Sequence, residues 1–427
     1  MKKILVSASA LALAAGSASA AGLDRSGQSV LSIFDADNTA TLSFGYVQPS
    51  VTGRDALGNK YDVGENYTQT GLTYTNAVNS QFNYSVILDQ PYGVNVDYNG
   101  NPATSTLAGT GADLRSEAIS FVGRYKINDR FSVFGGIKGE RVSAEVALNG
   151  QAYAQAISTA AVARSFSGSL PAGAPALSPT TLGAALAGSP TAAGTIDTTY
   201  GAGTTAALGG AVAGQIGSYF ANGGYDFEME DDSSVGYVVG AAYEIPDIAL
   251  RLAATYSFEI DHKADTTERL YGTTFKSDVE YVTPQSLNLD FQTGIAAGTL
   301  LTASYRWTDF SEVDVIPTTL NSDLVNLEDS HRYTIGLARQ FNDQFAGSIS
   351  FIYEPETGAK TVSPLGPTDG LMGVSLGGRY VNGPMKISAG INYSKLGDAD
   401  AGVADRSVAK FRDNSAVGIG FKAEMTF

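Results

Sequence analysis

Cysteine is absent from the 427-residue sequence. That excludes a disulfide framework and a thiolate metal site, and it suits a chain that folds through an oxidising compartment. Histidine occurs only twice, at His262 and His331; so far apart, they lack the spacing of a metal pair and read as ordinary polar side chains. No metal is expected. Positive charge is scarce: 27 Lys and Arg stand against 43 Asp and Glu, a formal net charge of -16. Such a balance argues against nucleic acid as a partner and against a basic membrane-surface patch. Beyond residue 20 there is no run of about 18 apolar residues, so no helix is expected to cross a membrane. Catalytic signals are missing as well. The Gly-rich residues 201–210 do not stand between a strand and a helix as a phosphate loop must, no acidic spacing matches a Ca²⁺ loop, and no nucleophile pairs with a base. The chain therefore reads as a non-enzyme that needs no cofactor.

What the sequence does contain is alternation. At the C-terminus Phe427, Met425, Ala423, Phe421, Ile419 and Val417 alternate with Thr426, Glu424, Lys422, Gly420 and Gly418, which places every apolar side chain on one face of a strand. A strand needs roughly 9 to 11 residues to cross a bilayer at barrel tilt, and this one is long enough. The alternative is the edge strand of a soluble sandwich. At the other end, Lys2 and Lys3 precede an apolar run over residues 4–15, and Ala18-Ser19-Ala20 has the small-x-small form of a signal-peptidase site. A secretory signal, residues 1–20, is expected, cut before Ala21. With 43% hydrophobic residues, 49 Gly and 22 Tyr, apolar side chains are plentiful but dispersed, as a barrel with a wet interior requires.

Fourteen segments show this pattern: residues 41–47, 69–77, 81–89, 115–127, 131–148, 225–244, 248–261, 280–291, 300–309, 330–341, 345–353, 372–381, 385–393 and the closing strand. Tight turns are expected at Asn79-Ser80, Asn128-Asp129-Arg130, Pro246-Asp247, residues 294–298, Asn342-Asp343 and Asn382-Gly383. Six short turns alternating with seven longer connections is the rhythm of an outer-membrane barrel with both termini in the periplasm. The fold expected is all-β, a 14-stranded antiparallel transmembrane β-barrel, residues 40–427, with residues 21–39 as a short plug in the lumen.

One connection differs from the rest. Residues 149–224 are rich in Ala, Gly, Ser and Thr and carry only two charged residues, Arg164 and Asp197. Helices are expected over 151–165, over 180–186 behind Ser178-Pro179, and over 209–220; a structureless low-complexity loop is the alternative. As an external platform it offers Tyr153, Phe166, Tyr219 and Phe220 to capture an apolar ligand. So uncharged a loop is unlike the constriction of a solute-filtering porin.

These segments together resemble the long-chain fatty acid outer-membrane transport family, to which toluene and xylene channels also belong. The densest stretch is Val78-Asn79-Ser80-Gln81-Phe82-Asn83-Tyr84-Ser85-Val86-Ile87-Leu88-Asp89-Gln90-Pro91-Tyr92-Gly93; residues 42–53, the 125–136 hairpin, Thr283-Pro284-Gln285, residues 305–310 and the terminal strand follow in order. The resemblance implies a plugged barrel whose third strand kinks inward and opens a hole in the wall, through which substrate leaves sideways into the outer leaflet. The kink maps to Gln90, Pro91, Tyr92 and Gly93. Independently, Pro91 cannot donate to a ladder, so a central strand cannot run unbroken through it. That Pro91 merely begins an external loop stays open. The plug is shorter than the family's, and Gly27-Gln28-Ser29 replace its Asn-Pro-Ala motif, so the lumen is expected to be blocked less completely. Leu23, Leu31, Ile33 and Phe34 are assigned to the plug and ligand path, with Phe34, beside Asp35 and Asp37, as the hinge into the first strand.

The function expected is passive uptake of hydrophobic molecules, long-chain fatty acids or aromatic hydrocarbons, by a monomer in the bacterial outer membrane. Its partners are that substrate, the surrounding lipid and the barrel assembly machinery, which reads the C-terminal Phe427. The alternatives are a general diffusion porin for small polar solutes and a non-transporting adhesive barrel.

Overall fold

Period-two strands with one apolar and one polar face have two ways to bury an edge, and closing the sheet on itself removes edges altogether. The computed structural model describes residues 23–427, so the signal segment lies outside the described residues. In it the sheet is closed. The first strand, Thr39–Ser50, pairs with the second, Tyr67–Ala77, on one side and with the last, Ser415–Thr426, on the other. Fourteen antiparallel strands make the circuit, and three of them are broken in two, giving a sheet of 17 segments.

Burial is inverted relative to a water-soluble core. Leu42, Phe44, Leu72, Ile119, Ile137, Ile335, Ile349 and Ile419 point outward and are exposed, whereas Thr41, Thr75, Ser120, Lys138, Glu140 and Glu424 on the alternate positions are buried inside. An outward apolar band with a polar interior is the signature of a strand-spanning membrane protein. No helix among the described residues is long and apolar enough to cross a membrane. Three of the six inner turns share one device: Asn79, Asn128 and Asn342 each accept, through Oδ1, hydrogen bonds from the backbone N–H groups two and three residues on. These local bonds fix the turn without help from the rest of the fold.

Four features depart from the sequence-based expectation. The connection expected over residues 262–279 is a continuation of the seventh and eighth strands, Ile260–Leu270 and Thr273–Thr283, turning at Tyr271 and Gly272 with φ of 52° and 77°. Above the lipid both faces meet water, so the apolar alternation that marks a spanning strand fades there. The third strand resumes past its break as Gly93–Asp97. Outside the lipid, Thr52–Asp55, Lys60–Asp62, Ala399–Val403 and Arg406–Phe411 form a second, four-stranded sheet, packed around Tyr61, Tyr98 and Phe411.

Finally, the 149–224 loop is ordered into four helices: α1 (Gly150–Gly168), α2 (Pro179–Leu186), α3 (Pro190–Tyr200) and α4 (Thr204–Ala221). The helix α3 was missed although Ser189-Pro190 repeats the Ser178-Pro179 signal that opens α2; the Ser189 hydroxyl accepts from the Ala192 N–H at 3.3 Å. A small core of Val162, Leu177, Leu182, Ile196, Leu208 and Val212 holds the helices together.

Candidate transport path

The ladder of the wall lapses between residues 230–236 of the sixth strand and 259–265 of the seventh, and it is broken again at the third strand. Phe82–Asp89 pairs with the second strand from Ala77↔Asn83 to Leu72↔Leu88, and with the fourth strand, Gly111–Lys126, as far as Asp89↔Ala118. Pairing with the fourth strand resumes at Gly93↔Arg115, so residues 90–92 oppose only Ser116 and Glu117, and the strand bulges. Pro91 has no N–H to give. The freed backbone groups turn inward instead: Arg25 N–H donates to the Pro91 carbonyl at 2.9 Å, and Gly93 N–H to the Leu23 carbonyl at 3.0 Å. Ser116 Oγ accepts from Tyr92 N–H at 2.7 Å and donates to the Tyr92 carbonyl at 2.9 Å. Residues 67–71 of the second strand are left without a backbone ladder on that side; one side chain, Gln90, crosses to accept from Thr70 N–H at 2.9 Å. Higher up the wall closes again through Glu65 N–H to the Asn95 carbonyl at 3.2 Å.

The N-terminal segment occupies the lumen behind this break. Its turn at Gly27 and Gln28 takes φ of 65° and 49°, values a proline cannot adopt. Gln28 donates to the Tyr92 hydroxyl and accepts from Lys138 Nζ at 2.9 Å, and Lys138 in turn pairs with Glu140 at 2.7 Å. Asp24, 1% exposed, accepts from Arg306 Nε at 2.6 Å, and Arg332 joins it to Glu354 at 3.7 and 3.3 Å. Withdrawing one partner of such a buried pair strands the other, which makes the segment costly to displace.

Toward the periplasmic turns the segment ends in a short 3₁₀ turn, Leu31–Phe34. Ile33 is fully buried against Ile87, Val122, Phe134 and Val238 of four strands. The Phe34 ring lies between two guanidiniums, Arg124 and Arg251, each 4.4 Å from its centroid, and meets Phe134 edge-on at 5.8 Å. Phe34 is therefore packed into the inner end of the barrel, against side chains far from it in sequence. Even so short a segment reaches from the strand break to the inner end of the lumen.

On the outer side of the break lies an apolar cavity of about 100 Å³. Leu23 of the plug, Tyr92 and Val94 of the third strand and Leu114 of the fourth form its floor and one wall; Phe227 and Met229 of the sixth strand form another. Its roof is the loop over residues 309–329, through Phe310, Val313, Leu324 and Leu327, with Phe310 edge-on to Tyr92 at 6.2 Å. The roof is tied down from below: the buried Glu268 carboxylate accepts from the N–H groups of Thr319 and Leu320 at 2.8 and 2.9 Å and from the Tyr225 hydroxyl at 2.9 Å. From above, Arg164 of α1 donates to the Leu320 carbonyl at 3.0 Å.

The residues singled out in the sequence fall in three places. Gln90, Pro91, Tyr92 and Gly93 lie at the break, and Leu23 joins Tyr92 in the cavity. Leu31, Ile33 and Phe34 sit deeper, at the inner end. The four aromatics of the external loop do not form one capture surface. Tyr219 is fully buried, its hydroxyl donating to the Leu148 carbonyl at 2.5 Å, and Phe220 packs edge-on to it at 6.0 Å. Phe166 packs on Tyr200 at 5.2 Å inside the helical core, and Tyr153 lies between the two larger clusters. Tyr153, Tyr219 and Phe220 secure the helices to the barrel, and Phe166 secures them to one another. The clamp of Asp24, Arg306, Arg332 and Glu354 was missed, as was the roof loop. Its signal was present: counted along the alternation of their strands, Arg306, Arg332 and Glu354 fall on the lumenal face, where an ion needs a partner. Among the described residues no cluster of three or more His, Asp or Glu side chains is placed to hold a metal.

Residues 6–427 match the family model described as outer membrane protein transport protein (OMPP1/FadL/TodX). Among solved structures, a Pseudomonas aeruginosa FadL homologue shares the fold at 14% identity, TM-score 0.65, over 92% of this chain and 91% of that one. The Pseudomonas putida toluene transporter TodX matches at 14% identity, TM-score 0.59, over 96% and 98%, and the Ralstonia pickettii toluene transporter TbuX at 13%, TM-score 0.55, over 92% and 90%. At such identities the structural likeness speaks for the fold alone. No curated protein matches the chain in sequence.

Proposed function

The chain belongs to the outer membrane protein transport family of FadL and TodX, and on that premise we propose that hydrophobic substrate enters the apolar cavity under the 309–329 loop and leaves sideways between the second and third strands. Members of this family are outer-membrane channels for hydrophobic compounds, not enzymes. The observation that carries the lateral route is the adjacency of the two features: Tyr92 belongs both to the cavity lining and to the break in the ladder. Each methylene removed from water is worth about 0.8 kcal/mol, so such a cavity concentrates an alkyl chain or an aromatic ring with no energy source beyond partition and downstream consumption. A cavity near this size accepts a single benzene ring in other proteins. Straight passage to the periplasm is opposed by the Ile33 and Phe34 stopper, which also counts against a general diffusion porin. The substrate class is a long-chain fatty acid or an aromatic hydrocarbon. The barrel acts as a monomer, since a lateral exit needs a lipid-facing wall. The exposed C-terminal Phe427, whose N–H donates to the Asn38 carbonyl at 3.0 Å, serves the assembly machinery as its recognition signal.

The test replaces residues 90–93 by a regular strand sequence able to complete the ladder. Cells lacking their own fatty acid channel would express either version at equal surface level, and uptake of a labelled fatty acid and of toluene would be followed. The parent should restore uptake of at least one and the straightened variant of neither. Equal uptake by both versions would remove the lateral exit from the mechanism.

A further inference from the structure

Arg25 stands across the break in the wall with no ion pair of its own; the Asp113 carboxylate, which also lines the cavity, acts on it only through space and is paired with Arg115. Its backbone is bonded to Pro91, and its side chain runs over Gly93, where the guanidinium leaves no room for even a methyl group. The guanidinium then joins the two sides of the break. It stacks on the ring of Tyr67, from the second strand, at 4.0 Å from the centroid, and Nη2 donates to Asn95 Oδ1, on the third strand, at 2.7 Å. Its Nε is buried and makes no hydrogen bond among the described residues. The neighbouring cations are differently placed. Arg306 and Arg332 share Asp24 and Glu354, Lys138 has Glu140, and Arg115 has Asp113 at 2.7 Å. Arg25 forms no ion pair with a described carboxylate, and a buried guanidinium donor left open is costly unless something transient fills it.

The cavity lies one residue away along the third strand and two along the plug. Leu23 and Val94 line it, while Arg25 and Gly93 stand at the break. A molecule with an apolar tail in the cavity therefore carries its head to the guanidinium. We propose that Arg25 is a specificity-determining residue of the lateral exit, which selects amphipaths bearing a carboxylate over neutral hydrocarbons of the same length. The carboxylate accepts from Nε and displaces Asn95 from Nη2, forming the two-pronged pair that arginine makes with carboxylates. Losing the Asn95 bond uncouples the two sides of the break as the head arrives. This inference rests on the lateral-exit reading above and narrows its substrate class.

The test compares uptake of labelled laurate and labelled dodecane, of equal chain length, by channel-deficient cells expressing the parent, Arg25→Met or Arg25→Lys at matched surface levels. In the parent both are taken up, laurate in excess. In Arg25→Met the laurate-to-dodecane ratio should fall about tenfold or more, the effect of one lost hydrogen bond to a charged group, and Arg25→Lys should recover part of it. A purely structural role would lower both rates together and leave the ratio in place, which would overturn the inference. Uptake of dodecane alone by the parent would overturn it while sparing the lateral exit. Uptake of neither by the parent would overturn the inference and leave the lateral exit to be decided by the toluene measurement above.

Discussion

Phe34 shows how far the neighbours of a side chain in sequence can differ from its neighbours in space. Its neighbours Asp35 and Asp37 made a hinge plausible, because sequence neighbours were all that could be seen. Its real partners, Arg124 and Arg251, are 90 and more residues away and reach it only because two strands bring them to the same height in the barrel. Each cation–π contact is worth about 0.5–1 kcal/mol, more when desolvated, and the ring keeps the two guanidiniums apart. Phe34→Ala should therefore do more than open a void: Arg124 and Arg251 would then face each other across the vacated space. Small-ion conductance in planar bilayers is expected to be low for the parent and several-fold higher for the alanine variant, with Phe34→Leu intermediate. Unchanged conductance in the alanine variant would place the barrier elsewhere in the plug.

At the scale of elements, the spanning strands and their Asn-based turns were legible because both signals are local. Three of the four outer helices were legible too, from their Ala-rich runs and a Ser-Pro start; the outer strands and the roof loop were not, since above the lipid no solvent imposes a face on them. The four-stranded external sheet illustrates this. Its strands come from sequence positions more than 300 residues apart, and its anchor is the single carboxylate of Asp55. That group accepts from the N–H groups of Leu57, Asn59 and Thr106, from Asn59 Nδ2 and from the Tyr61 hydroxyl, at 2.7–3.1 Å. Burial by itself pushes the Asp55 carboxyl up, but the hydrogen bonds from Tyr61, Asn59 and Thr106 outweigh it and hold the group well below the usual carboxylate range. The sign follows from linkage. A depressed pKa in the folded state contributes stability that is complete above the unfolded value of about 3.9 and is lost as pH falls through the folded one. Amide exchange protection at Leu57, Asn59 and Thr106 should thus persist at pH values near 4 and fail only in stronger acid. In Asp55→Asn that protection should already be reduced at neutral pH, and its acid dependence should flatten. Because Thr106 lies in the connection that follows the third strand, the same variant tests whether the cap steadies the strand bearing the exit.

For the whole molecule, closure was legible from the chain because an even count of spanning segments, alternating short and long connections and a lipid-compatible face all require the same answer. What no strand reveals alone is its depth in the membrane, and depth decides what a substitution costs. The eleventh strand, Phe345–Glu354, gives a measurable case. Phe345 at its inner end and Tyr353 at its outer end are exposed aromatics, and Ile349, 48% exposed, lies midway between them on the same outward face. If the outward face is the lipid face, Ile349→Arg places a charge near the bilayer midplane and should cost about 2–4 kcal/mol, whereas arginine at the position of Tyr353 should cost about 0–1 kcal/mol. The two variants share a strand and a face, so any difference between them reports depth and not local strand propensity. Denaturant unfolding from lipid vesicles, followed by the heat-modifiable migration of the folded barrel, would supply both values. A soluble sandwich, the alternative first raised by the C-terminal strand, predicts that the two arginines are tolerated equally, because both would face water.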